Sequence, residues 1–541
     1  MPDRNPDRQW AWPLAGLLVV LALQVTVLLH RAVNWDEFFH YSQIHNLARG
    51  TLTLPLQTLY TRAFLWVLDL PIGEIDQIVT IRWFMLGCEL VTLAAIFAMA
   101  RRFTTPASAL LCALAYLSAG YVFRHGTSFR FDPPATALLM SAAWITLCRP
   151  LQARWIAATG LLLGIATVLT IKSVLYFPVF AGIAWLRWTE AQRSIAAALR
   201  LAAIGLAAAA GFVLVYALHA STLPGESIAV GKATVDQTGG KMFNLFALPY
   251  WRYHLKGAGL APFVTILALL FPFVLLRATR PAAEKIALIG LFLPLTTLLF
   301  YHNTAPYYFV FMLAPVCVAL AVVIDLAVRR YGPQGLSVLL AGLAVAIWWV
   351  ERPGVIEKQR QLLAAAETAF PEKPAYFDSC GILGRFEKVN FFMTPIGIAL
   401  YRDGHAPSFA DVMSQRTVPL VVNDVPNLDS ALTGTGPVAA LLPGDVAALR
   451  DSYVHFWGPF WLAGQTFNGP AQFALRVPGQ YRVEGGDLTL DGRALKAGEV
   501  VDLARGEHRA VPADGAKVRL IWAAARLPQG APPQQPFFVD F

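Results

Sequence analysis

Two adjacent acids, Asp36 and Glu37, follow the first long apolar run of the chain. Residues 10–29 are long and apolar enough to cross roughly 30 Å of hydrocarbon as a helix. The acids therefore stand just outside the bilayer, at the end of a span. Carboxylates at that depth are costly to desolvate, so they have a partner or a task. Further on, Arg130 and Asp132 in RFDPP open a later apolar run. Lys172 in LTIKS occupies the turn between two others, and YHNTAPYY carries His302, Asn303, Tyr307 and Tyr308. Arg252, His254 and Lys256 lie in WRYHLKG. Acids beside cations at a lipid–water boundary suit a negatively charged lipid headgroup and a reacting hydroxyl.

Ordinary structural accounts stand beside these. Glu37 lies three residues after Asn34, the spacing of a capping box, with Gly50 placed to end that helix. Asp132 before Pro133 is a common helix start. Lys172 can snorkel from a helix end. His302 beside Tyr301 suits an interfacial aromatic belt. Arg62, Asp69, Glu74 and Asp76 read as solvated surface.

The elements that carry these residues follow from composition. The chain is 56% hydrophobic and 14% charged, against about 25% charged in a soluble domain. Its mean hydropathy is +0.52. Apolar blocks fall near 10–29, 78–100, 106–122, 133–148, 155–171, 174–188, 198–218, 260–276, 284–300, 306–328 and 335–350. This predicts an all-α polytopic membrane core of about eleven transmembrane helices over 1–350. The N-terminal run is too long for a signal peptide and has no small-x-small cleavage site, so it is expected to be retained. The net charge of +9 does not imply nucleic acid, because Lys and Arg cluster in short loops as topology signals. Arg4 and Arg8, Arg101 and Arg102, Arg149 and Arg154, Arg187 and Arg193, Arg277 and Arg280, and Arg329 and Arg330 all share one side if the N-terminus is cytoplasmic. The acids and the tail then lie outside, in the periplasm of a bacterial inner membrane. Phe38, Tyr41, Ile44 and Leu47 recur at helical spacing, which predicts a helix lying along the membrane surface.

From 351 the character changes. A charged helix leads into an expected periplasmic α/β domain over 351–455, with TVPLVVNDV and PVAALLPGD as short strands. A β-rich, sandwich-like domain is expected over 456–541, from alternating apolar residues broken by Gly-Gly and Asp-Gly turns. Within it, LTLDGRALKAGEVVDLARGEH resembles a PEGA-like repeat. Four of the five cysteines lie in apolar blocks and Cys380 is alone in the tail, so no disulfide framework is implied. There is no P-loop, no GxGxxG before a helix, no HExxH and no cysteine-pair spacing.

Asp36-Glu37 after the first helix, Arg130-Phe131-Asp132 at the start of a later one, and Thr170-Ile171-Lys172-Ser173 two helices on resemble the GT-C glycosyltransferases. The likeness is to the protein O-mannosyltransferase and lipid A aminoarabinose transferase type. Ile171 and Ser173 depart from that type's Thr-Lys-Gly-like turn. The resemblance spans roughly 1–350 and implies a polyprenyl-phosphate-linked sugar as donor. It also implies an inverting transfer to a glycan, lipid or protein acceptor of the cell envelope. It makes Asp36, Asp132 and Glu37 the catalytic acids, with Asp36 as base. Lys172 and Arg130 become partners of the donor phosphate, with His302, Tyr307, Arg252, His254 and Lys256 as further substrate contacts. No cofactor is required on this reading, and no ligand spacing demands a metal, although paired acids can hold a divalent ion. A transporter or flippase of lipid-linked sugar is the rival from another class, and a non-catalytic assembly subunit a second. A transporter favours charges at mid-membrane and repeated spans, whereas here the acids gather at one face.

Overall fold

A computed structural model describes residues 9–225, 245, 248–351, 354–436, 438–513 and 517–539. Arg4, Arg8 and most of the expected outer loop 219–259 lie outside the described residues. A helix occupies every apolar block. Among the described residues only five helices are long and apolar enough to cross a membrane by themselves: Ala11–His30, Glu74–Ala100, Ile195–Ala220, Ala282–Leu299 and Ala321–Trp349. Trp251–Leu260 and Pro262–Arg277 meet at a 100° bend, and together they make a sixth candidate. Pro106–Leu117, Ala153–Leu169 and Tyr308–Ala319 are shorter apolar helices. By length and composition, five or six of these helices qualify as spans on their own.

Close packing holds the bundle together. A Cβ on Gly160 would lie 2.3 Å from Ala207 Cβ, and one on Gly164 would lie 2.5 Å from the Gly211 backbone. The GLLLG stripe thus lets Ala153–Leu169 and Ile195–Ala220 touch backbone to backbone. Loops from separate blocks meet at one end of the bundle. Arg280 Nη2 donates to Phe103 O at 2.7 Å, Arg187 Nη2 to Arg149 O at 2.9 Å, and Arg102 pairs with Glu190. The basic loops thus converge on one face.

The helix Trp35–Ala48 begins with the expected capping box. Asn34 Oδ1 accepts from Glu37 N at 3.0 Å, and Glu37 Oε2 accepts from Asn34 N at 3.0 Å. Gly50, at φ +70°, follows its C-terminus, a left-handed position that glycine takes without strain. The apolar face of this helix packs on protein, however. Phe38, Tyr41 and Ile44 are fully buried, because the tail covers the face that lipid was expected to cover. Gln359 bonds both N and O of Val33, at 2.9 and 2.7 Å. Phe392 meets Phe39 edge to face at 4.4 Å, and Arg49 Nη2 donates to Gly384 O at 3.0 Å. Glu74 is also buried rather than solvated, accepting from Gly384 N at 2.8 Å.

In the tail, the helix Val355–Ala369 turns Ile356, Leu362 and Leu363 into the core shared with the membrane part. Tyr376–Phe377 pairs in parallel with Leu420–Val422. Leu420–Val422 then pairs antiparallel with Phe460–Phe467, inside one seven-stranded sheet. The division expected at 455/456 therefore cuts the strand Tyr453–Trp457, and a single sheet joins both sides. PVAALLPGD is not a strand: Pro443 opens the helix Pro443–Ser452 instead, where its missing N–H costs nothing. A second, four-stranded sheet uses the Asp491-Gly492 turn, both residues at positive φ, as a tight hairpin.

Candidate active site

Four charged side chains from three elements form an alternating chain at the end of the bundle where the tail docks. Asp36 comes from the first turn of Trp35–Ala48, and Arg130 and Asp132 from the start of Asp132–Cys148. Lys172 comes from the short 3₁₀ turn Ile171–Tyr176, whose first residues are capped by Thr170. Arg130 Nη1 pairs with Asp36 Oδ2, and Arg130 Nε donates to Asp132 Oδ2 at 3.1 Å. Lys172 Nζ bonds Asp132 Oδ1. Tyr307 lies under the Arg130 guanidinium, 3.4 Å from centroid to carbon. Phe131 sits beneath Lys172 Nζ at 4.8 Å. All four charges are buried, a setting in which each charge needs the others.

The two acids differ in what they leave open. Both oxygens of Asp132 are taken by cations. Asp36 Oδ1 has no protein partner among the described residues and is not sealed from solvent. Burial raises the Asp36 carboxyl above its ordinary value, against the pull of Arg130. Burial likewise lowers the Lys172 ammonium, with Asp132 opposing. For Arg130 burial acts against the charge, but Asp36 and Asp132 outweigh it and keep the guanidinium protonated.

A groove of about 430 Å³ runs along the side of the bundle between Asp132–Cys148, Ala153–Leu169, Phe177–Glu190 and Ile195–Ala220. Leu163, Phe177, Phe180 and Ile204 make it mostly apolar, and Ser173 and Val174 line it directly after Lys172.

Solved structures share this architecture. ArnT from Cupriavidus metallidurans bound to undecaprenyl phosphate superposes at TM-score 0.54 with 14% identity, covering 79% of this chain and 95% of that one. The oligosaccharyltransferase of Archaeoglobus fulgidus, in its apo form, gives TM-score 0.52 with 12% identity over 90% of this chain and 74% of that one. The chain has the GT-C fold. At this identity the likeness is one of fold. No family profile matches the sequence, and no curated protein matches it.

Within the GT-C core the other expected site residues fall into distinct places. Glu37 is not open to a substrate. Arg82 Nε donates to Oε1 at 2.8 Å and Nη2 to Oε2 at 2.6 Å, while Phe129 N adds 2.8 Å and Asn34 N 3.0 Å. Burial pushes its carboxyl up, but Arg82 and these N–H donors outweigh that and lower it. The catalytic part expected for Glu37 is thus replaced by an anchoring one. Tyr307 joins the charged chain and donates to Asn303 Oδ1 at 3.0 Å. His254 bonds Thr304 Oγ1 through Nε2 at 2.6 Å, beside that chain rather than in it. Arg252 stacks on Trp251 and is exposed, Lys256 is exposed on the same helix, and His302 Nε2 is buried without a hydrogen bond.

Sequence reasoning missed Arg82. Arg82 lies inside the block 78–100, among apolar neighbours. A lone cation in such a run was the available signal. A divalent ion at Asp36 and Asp132 would have to displace Arg130 or Lys172 from them. Asp378, Cys380 and Asp424 in the tail also lie close together. There Lys388 Nζ stands 2.9 Å from Asp378, and the N–H groups of Gly381 and Ile382 bond its carboxylate. That donor set is already filled by the protein.

Proposed function

We propose that the protein is an inverting glycosyltransferase. It moves a sugar from a polyprenyl-phosphate donor to an envelope acceptor, at the outer face of the bacterial inner membrane. The observation that supports this reading is the buried chain of Asp36, Arg130, Asp132 and Lys172, with an apolar groove lined by Ser173 and Val174, the residues that follow Lys172. A lipid tail in the groove brings its phosphate to Lys172 and Arg130. A leaving phosphate already carries its charge, so it needs cations more than a proton donor. The arriving anion also competes with Asp36 for Arg130. That loosens the carboxylate whose Oδ1 is already open, and Asp36 takes the proton of the acceptor hydroxyl. One direct displacement inverts the anomeric carbon. Asp132 holds both cations in register.

Undecaprenyl-phosphate-linked sugars supplied in vesicles with the purified protein test the reading. A Cβ at Gly205, in the groove, meets nothing within 4 Å. Gly205→Phe therefore fills the groove without a backbone clash. It is expected to raise KM for the lipid-linked donor with little change in kcat. An unchanged KM removes the groove from the donor site. A transporter would instead move the lipid-linked sugar across the vesicle without cleaving it.

A further inference from the structure

His40 lies one helical turn after Asp36 on the same face of Trp35–Ala48. It is 2% exposed. Its ring meets Phe131 edge-on at 5.2 Å, the ring that also carries Lys172 Nζ. Tyr60 packs against its other side at 5.1 Å.

The two hydrogen bonds at Tyr60 Oη are compatible with a single imidazole tautomer when both are made. His40 Nδ1 lies 2.7 Å from Tyr60 Oη, and Tyr60 Oη donates to His40 O at 3.3 Å. A phenol has one proton to give. If Tyr60 spends it on the carbonyl, the Nδ1 contact is a hydrogen bond only when Nδ1 carries the ring proton. Both bonds then use both protons, and Nε2 is left as a bare lone pair. Nε2 has no protein partner among the described residues and is not sealed from solvent. The ring also stays uncharged: burial holds its pKa far below the ordinary value, with help from Arg130 and Lys172.

We propose that His40 Nε2 accepts a hydrogen bond from a sugar hydroxyl of the donor, beside the open Oδ1 of Asp36, and that Tyr60 selects the tautomer that allows it. This rests on the glycosyl-transfer reading. It adds a sugar-orienting contact on the same helix turn as the base. Within the charged chain Arg130 and Lys172 are donors only, Asp132 is filled, and the open Oδ1 of Asp36 is committed to the acceptor hydroxyl. A neutral acceptor near the two cations binds a hydroxyl without competing for the phosphate.

The test has two arms. Ring ¹⁵N shifts of the detergent-solubilised protein, labelled at histidine, read the tautomer directly. The chain has 10 histidines, so the His40 signals are those missing from His40→Gln. The wild-type ring is expected in the Nδ1–H form, and Tyr60→Phe is expected to shift it toward Nε2–H. An Nε2–H ring in the wild type overturns the proposal. The second arm measures transfer from undecaprenyl-phosphate-linked mannose and aminoarabinose. His40→Phe fills the same space without an acceptor and should lose roughly ten- to hundredfold in kcat/KM. His40→Gln, which places an amide near the Nε2 position, should recover most of that loss at an unchanged melting temperature. Full kcat/KM in a folded His40→Phe sinks this inference alone. Failure of the wild type to move either sugar takes the glycosyl-transfer reading with it.

Discussion

At the scale of the residue, the site is a charge-balanced chain with one carboxylate oxygen left open. Replacing Asp36 by Asn keeps the shape and removes the proton acceptor. Turnover should fall by roughly two or more orders of magnitude, while donor binding persists because a neutral amide no longer competes for Arg130. A purified Asp36→Asn protein with wild-type transfer would end the assignment. The pH dependence has a definite sign. Burial raises the Asp36 pKa above 3.8, and the base works only when ionised. Activity should therefore fail, as pH drops, at a higher pH than an ordinary aspartate would allow, and Asp36→Asn should abolish that acid limb. For the cations, Lys172→Gln and Arg130→Gln should each weaken binding of undecaprenyl phosphate, measured by titration. Unchanged affinity in both would place the phosphate elsewhere.

At the scale of the element, the helix Trp35–Ala48 is held in place by a buried ion pair at its first turn. Arg82 is the cation of that pair. Besides Glu37 it bonds the carbonyls of Leu28 and Arg31 at 2.9 Å each and of Ala32 at 3.1 Å. It thus closes the end of Ala11–His30 and the start of the next helix with one side chain. Removing one partner of a buried pair strands the other charge. Arg82→Ala should cost about 3–5 kcal/mol of stability and lower the melting temperature in detergent. A double variant with Glu37→Gln should recover part of that loss. Equal stability of Arg82→Ala and wild type would show that the pair is not an anchor. The capping box itself was legible from Asn34 and Glu37, since it needs only a spacing of three residues. The Arg82 partnership was not, because it joins residues 45 positions apart.

At the scale of the whole molecule, the tail and the bundle share a core. Ile356, Leu362 and Phe460 from the tail belong to the same buried cluster as Phe38, Phe64 and Phe129. At the contact, a Cβ on Gly384 would lie 2.6 Å from the Tyr41 ring and 2.7 Å from Glu74 Oε2. The tail therefore forms a wall that holds the helix Trp35–Ala48 against the membrane part. This gives the sidedness of the chain a direct test. With the charged chain outside, a reporter active only in the cytoplasm and fused after Phe541 should be silent. Strong activity there would overturn the outer site.

The sequence by itself determined what depends on near neighbours and on composition. Long apolar blocks, a helix capped by Asn34, Asp132 at a helix start, and the Asp491-Gly492 hairpin all follow from residues a few positions apart. The grouping of Asp36, Arg130, Asp132 and Lys172 was also legible, because the alternation of spans places their loops at one end. Tertiary structure alone decided which atoms of that group stay open. Asp132 is filled and Asp36 is not, since Arg130 and Lys172 reach Asp132 from two directions and only Arg130 reaches Asp36. It alone moved Glu37 from the site to the scaffold through Arg82, and turned Glu74 from surface to tail contact. It also joined 351–455 to 456–541 in one sheet. Each of these depends on side chains or strands brought together across long stretches of chain, where spacing in the sequence carries no information about distance.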